Sequence, residues 1–179
     1  LEVKAIQVLD PTLLIDKEKY EELCKDVPVN NTSFLAAYIL DLNKEKEEFI
    51  YKIAKERNLP IKMLRADTNA SLSIQEWLAV FRDAKYVITD SYHGTLFSII
   101  FRKDFLTIGN GERGLSRFNS ILSTLHLSER LTNASSLHSY NISNVDWRKV
   151  ETLLLVENKK SYNFLDKSLN SSMSNKVVN

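Results

Sequence analysis

From Ser33 onward the chain alternates between short runs that are apolar throughout and longer runs in which apolar residues return at helical spacing. Ser33 to Leu40, Ser-Phe-Leu-Ala-Ala-Tyr-Ile-Leu, has no polar face, which predicts a strand buried on both sides. Asn43 then offers a helix cap, and Phe49, Ile50, Ile53 and Ala54 make one stripe. Glu45, Glu47 and Glu48 lie near the positive end of that helix and Lys55 and Arg57 near the negative end, with Asn58 and Pro60 as the stop. Ile61 to Leu64 predicts the next strand, and the aperiodic stretch from Arg65 to Leu72 predicts a loop. Ser73-Ile-Gln-Glu76 is a capping box, opening a helix whose Ile74, Trp77, Leu78 and Phe81 share a face. Tyr86 to Thr89 predicts a third strand and Asp104 to Ile108 a fourth. Helices are expected after each, over Thr95 to Phe101 and along the face of Leu115, Phe118, Ile121, Leu122 and Leu125.

Strand and helix taking turns in this way favours a parallel sheet covered on both faces, so the expected class is a Rossmann-like α/β fold. The expected domain runs over residues 31–169. Residues 1–30, with extended Gln7 to Ile15 and a short helix capped by Asp16, read as a leader or as a linker arriving from an upstream domain. Near the other end Asp146 is placed to cap a helix carrying Trp147, Val150, Leu153 and Leu154. A break is allowed before Tyr162, Phe164, Leu165 and Leu169, and residues 170–179 read as a frayed tail. Trp77 and Trp147 fall at packing positions.

The balance of 24 basic and 23 acidic side chains leaves no basic stripe for a nucleic acid. The single Cys24 excludes a disulfide framework and a cysteine-rich metal site, and it fits a reducing, cytoplasmic setting. No apolar run is long enough to span a bilayer, and no set of His, Cys and carboxylates has metal-ligand spacing.

Chemistry concentrates at two junctions. Lys85 to Gly94 reads Lys-Tyr-Val-Ile-Thr-Asp-Ser-Tyr-His-Gly, a strand that ends in a polar cluster. In an open parallel sheet the carboxyl ends of the strands and the following helix N-termini form a crevice suited to anions. Asp90, Ser91 and His93 bring carboxylate, hydroxyl and imidazole to that point, with His93 and Asp90 as acid or base candidates and Gly94 allowing close approach of a ligand. A plainer reading makes Asp90 or Ser91 a helix cap and His93 a first-turn residue.

The second junction, Gly109-Asn-Gly-Glu-Arg-Gly114, holds three of the four glycines. Gly111 offers backbone donors, and Arg113 and Arg117 offer guanidinium forks for a carboxylate or phosphate; the alternative is a loose turn with Arg113 paired to Glu112 or solvent. It is not a Walker loop, and its G-x-G-x-x-G string follows the fourth strand without the acidic partner of a dinucleotide site. His126, near a helix C-terminus, and His138, in a Ser/Asn-rich loop, read as structural or solvated.

Taken together, Val8-Leu-Asp-Pro-Thr-Leu-Leu-Ile15, Tyr38-Ile-Leu, Ser73-Ile-Gln-Glu-Trp-Leu78, Ala84 to Ile100 and Arg113-Gly-Leu-Ser-Arg-Phe118 resemble the polysaccharide pyruvyl transferase family, over nearly the whole chain from Val8 to the C-terminal helix. The resemblance is to the C-terminal half of members built like GT-B transferases, with a Rossmann-like domain on each side of a cleft. It implies a missing N-terminal domain, a site at the inner face of a bacterial membrane or in the cytoplasm, and no cofactor. It also implies transfer of pyruvate from phosphoenolpyruvate to two hydroxyls of a surface-polysaccharide sugar. His93 matches the family's His-Gly position, and Arg113 and Arg117 match its downstream basic motif. Some members carry an Arg two residues before this His, where the present chain has Ser91. The competing classes are a GT-B glycosyltransferase or nucleotide-sugar epimerase domain, which would place a nucleotide diphosphate on the same loops, and a non-catalytic binding module.

Overall fold

The computed structural model describes residues 5–65, 72–109, 114–133 and 143–174. The strands are β1 (Leu35–Ile39), β2 (Ile61–Arg65), β3 (Tyr86–Thr89), β4 (Asp104–Gly109) and β5 (Leu131–Asn133); the helices are α1 (Lys17–Leu23), α2 (Lys44–Arg57), α3 (Ile74–Asp83), α4 (Tyr92–Ile100), α5 (Leu115–Thr124) and α6 (Trp147–Ser174). The chain divides into two compact units, residues 16–145 and residues 1–15 with 146–179.

In the larger unit five strands form one sheet in the order β2-β1-β3-β4-β5, with all neighbours parallel. This is the expected Rossmann-like α/β class. β1 and β3 are buried along nearly their whole length because each face of the sheet carries helices. On one face Leu35, Ala37, Ile39, Tyr86, Ile88, Leu106 and Ile108 pack with Phe49, Ile50, Ile53 and Ala54 of α2. On the other, Tyr38 meets Trp77 and Phe81 of α3, and Trp77 in turn meets Phe97 of α4, all at ring separations of 5.0–6.1 Å. Alternate residues of one strand thus serve opposite layers, which is why no polar face was visible in its sequence.

The helix ends follow their local chemistry. Asn43 caps α2 by accepting the Lys46 amide at 2.8 Å, and Asn58 closes it in the left-handed region with φ 52°. At α3 the Ser73 hydroxyl accepts the Glu76 amide at 3.2 Å while the Glu76 carboxylate accepts the Ser73 amide at 2.8 Å, the reciprocal box expected there.

In the smaller unit Asp10 caps a single 3-10 turn (Pro11–Leu14) by accepting the Thr12 amide at 2.9 Å. α6 runs without a break: buried Ser161 donates to the Glu157 carbonyl and accepts the Leu9 amide, each at 2.9 Å. Among the described residues no helix is long and apolar enough to cross a membrane.

Candidate functional site

The sheet order reverses at β1. The chain leaves β1 for β2 on one side and returns to build β3, β4 and β5 on the other. In doubly wound sheets the strand ends on either side of such a reversal part, and ligands enter there. In this chain the gap between the ends of β1 and β3 is bridged from within. The Asp90 carboxylate, 1% exposed, accepts the Leu40 amide at 2.7 Å and the Asp41 amide at 3.2 Å, and it meets the Lys46 ammonium at 2.7 Å. Lys46 is buried as well, and its ammonium also donates to the Asp41 carbonyl at 2.8 Å.

α4 begins at Tyr92, three residues before the expected start at Thr95. Ser91 is its cap, the Oγ accepting the Gly94 amide at 3.3 Å and the carbonyl accepting the Thr95 amide at 3.0 Å. Tyr92, His93 and Gly94 are therefore helical. They look like loop residues in the sequence because a first turn has no apolar stripe to keep.

Gly94 is buried, and its open side faces the sheet. An added Cβ would lie 2.3 Å from Thr89 Oγ1 and 3.1 Å from the Tyr38 ring, so the missing side chain lets α4 seat on the sheet. The hydroxyls around it are mutually satisfied. Thr89 Oγ1 donates to the Tyr38 carbonyl at 2.7 Å and accepts the Ser91 amide at 3.0 Å; Thr95 donates to the Ser91 carbonyl at 3.1 Å and shares a 2.8 Å bond with Thr107. Burial raises the Tyr38 phenol above its ordinary range, the negative charge of Asp90 adds to this, and a hydrogen bond with Ser91 opposes it.

On this platform His93 stands exposed as the second residue of α4, its ring 5.8 Å from Tyr92. Tyr92 packs on Phe118 of α5 at 5.7 Å, and the Arg117 guanidinium lies over the Tyr92 ring at 4.8 Å. The imidazole and one guanidinium thus lie against the same tyrosine, drawn from the two junctions. Gly109 ends β4 in close contact with Leu115, where a Cβ would come within 2.6 Å of Cδ2. Gly114, with φ 84°, opens α5 in a conformation that favours glycine. Gly111 and Arg113 lie outside the described residues, as does His138. His126 takes φ 56° just past α5.

α2, α3, α4 and α5 each follow a strand of the parallel sheet along the chain. α2 carries Glu45 and Glu47 in its first turn and α3 carries Glu76, whereas α4 and α5 carry no acid there. Among the described residues, the first turns of α4 and α5 thus carry His93 and Arg117 and no acid, at helix ends that favour anions. Sequence reading missed Lys46 and Tyr38. Lys46 carried only an ambiguous signal: it is a cation in a first turn, where the dipole disfavours one, but Lys44 shares that turn while exposed and paired locally with Glu48. Tyr38 carried none, since an aromatic inside an apolar strand reads as packing.

No curated protein and no solved structure matches the chain. A family model, that of polysaccharide pyruvyl transferase, matches residues 1–112. The match includes Asp90, Ser91, His93, Gly94 and Gly111 and stops one residue short of Arg113, so the Arg113 to Phe118 motif lies beyond it. Covering more than half of the chain and the whole of the β3–α4 junction, it shows that this protein belongs to the polysaccharide pyruvyl transferase family.

Proposed function

We propose that this chain is the donor-binding part of a transferase that moves pyruvate from phosphoenolpyruvate onto two hydroxyls of a polysaccharide sugar. The first turns of α4 and α5 hold the donor. The observation that carries the reading is the joint placement of exposed His93 and Arg117 against Tyr92, at two helix N-termini without acids of their own.

The chemistry asks for cationic and proton-donating groups. One sugar hydroxyl oxygen bonds to C2 of phosphoenolpyruvate as a proton reaches C3. Phosphate leaves with the C2–O electron pair, and the second hydroxyl oxygen closes the ketal; of the two hydroxyl protons, one is balanced by the new methyl C–H and the other leaves with phosphate. His93 as an imidazolium can give the proton to C3 or neutralise the departing phosphate, and Arg117, with Arg113 as a further candidate, can pair with carboxylate or phosphate. Gly111 supplies backbone donors in the same reading. Ser91 and Gly94 act by shaping the first turn of α4, and Asp90 acts as the anchor beneath it rather than as a proton donor, since both its oxygens are already engaged.

The acceptor side belongs to a second domain in a GT-B-like cleft. Residues 1–179 alone are then expected to bind donor without turning it over. A nucleotide diphosphate fits less well, because at the strand reversal a buried carboxylate, Asp90, lies where its phosphates would sit, already paired with Lys46. Titration of the labelled chain with phosphoenolpyruvate and, separately, with uridine diphosphate decides between them. Shifts at the His93 ring and Arg117 Nε with phosphoenolpyruvate are expected. Response to the nucleotide alone, or to neither, refutes the reading.

A further inference from the structure

We infer that Lys46 is a positioning residue for the donor site, acting through Asp90 on the first turn of α4; this rests on the donor reading above. The ammonium of Lys46 reaches from α2, on one face of the sheet, to the carboxylate that ends β3, at 2.7 Å. The same ammonium holds the Asp41 carbonyl at 2.8 Å, and the carboxylate holds the Leu40 and Asp41 amides. Five polar groups from the ends of β1, α2 and β3 therefore bond to one another, with the Lys46 to Asp90 contact at their buried centre. Ser91, the cap of α4, follows Asp90 directly, and His93 is two residues further on.

Stability alone does not explain such a pair. Two charges taken out of water recover little more than their desolvation, and an apolar pair of similar volume often does as well. The position is also unfavourable for a cation, being in the first turn of α2. What an apolar pair cannot do is fix register: a carboxylate with defined donors on both oxygens admits one arrangement of the turn after β1 against the turn after β3. An imidazole meant to meet a small anion needs its helix held to that accuracy.

The test is amide hydrogen exchange by NMR on the whole chain, with Lys46→Met and, in parallel, Asp90→Asn. The amides of Leu40, Asp41, Gly94 and Thr95 should lose protection by tenfold or more, while those of β4 keep theirs to within twofold. Equal loss across the sheet would show a merely stabilising pair, and unchanged exchange at Gly94 would show no coupling to α4; either overturns the inference. Should Lys46→Met fail to fold, Lys46→Arg, which keeps the charge but not the point geometry, replaces it with the same expectation. In a second arm phosphoenolpyruvate is titrated against the His93 resonance, with affinity expected to fall about tenfold in the variant and melting temperature tracked alongside. Absence of any shift in the unsubstituted chain refutes the donor reading, while the exchange arm still decides the role of Lys46.

Discussion

The first turns of α2 and α4 follow adjacent strands of one sheet, yet their positive ends are treated in opposite ways. α2 is capped by Asn43, carries Glu45 and Glu47, and buries Lys46 against Asp90. α4 is capped by Ser91, carries no acid, and leaves His93 in solvent. Both turns have the same unpaired amides and the same dipole. At α2 the protein supplies the compensating groups itself, so the end is closed and serves the fold. At α4 the first turn supplies no acid, and the side chain it leaves in solvent is an imidazole.

The sharpest way to break this contrast is to remove the imidazole. In the proposed transferase His93→Ala is expected to lower turnover by about two to four orders of magnitude if proton transfer is its task. The melting transition should stay within about 0.5 kcal/mol of the parent, since the side chain is exposed. Steady-state pyruvylation and a denaturant melt on the same preparation check both halves. Undiminished turnover would leave the open end of α4 without a function.

What could be read from the sequence follows from the range of each signal. Periodicity and capping found β1 to β4, α2, α3 and the face of α5, because those signals are local. β5 escaped: Leu131–Asn133 is too short to show alternation, and only its parallel pairing with Thr107 to Gly109 of β4 makes it a strand. The start of α4 was placed late because Tyr92, His93 and Gly94 are polar or small, and their helicity depends on the Ser91 cap. Asp90 and His93 stand three residues apart in the same motif and looked alike as acid–base candidates. Their difference is tertiary, one carboxylate saturated by Leu40, Asp41 and Lys46 and one imidazole left outside. Arg117 could be proposed from sequence as a basic residue one helical turn beyond Arg113, but not that it would lie on Tyr92.

Gly94 sharpens the comparison from the packing side. If α4 is seated by shape where α2 is seated by charge, then Gly94→Ala should destabilise the fold by about 1–3 kcal/mol, as added volume in a filled site does. The new methyl meets Thr89 Oγ1 at 2.3 Å, and Thr89 is fixed by its bonds to the Tyr38 carbonyl and the Ser91 amide. Equilibrium denaturation measures the cost. A neutral substitution would mean that α4 is free to lift from the sheet.

The smallest effect gives the most pointed test, because it makes α4 resemble α2. His93→Glu places a carboxylate in the first turn of α4, the arrangement that α2 and α3 already have. The exposed acid should interact favourably with the helix dipole and raise stability by about 0.3–1 kcal/mol at low ionic strength, with the gain screened away as salt is added. Phosphoenolpyruvate binding, followed through Arg117, should be lost at the same time, since the new charge repels the donor. Stability and binding thus move in opposite directions through one substitution, which simple damage to the site would not produce. If the variant is instead destabilised, or still takes up the donor, the positive end of α4 is not an anion seat, and the distinction between the two helix ends is only one of packing.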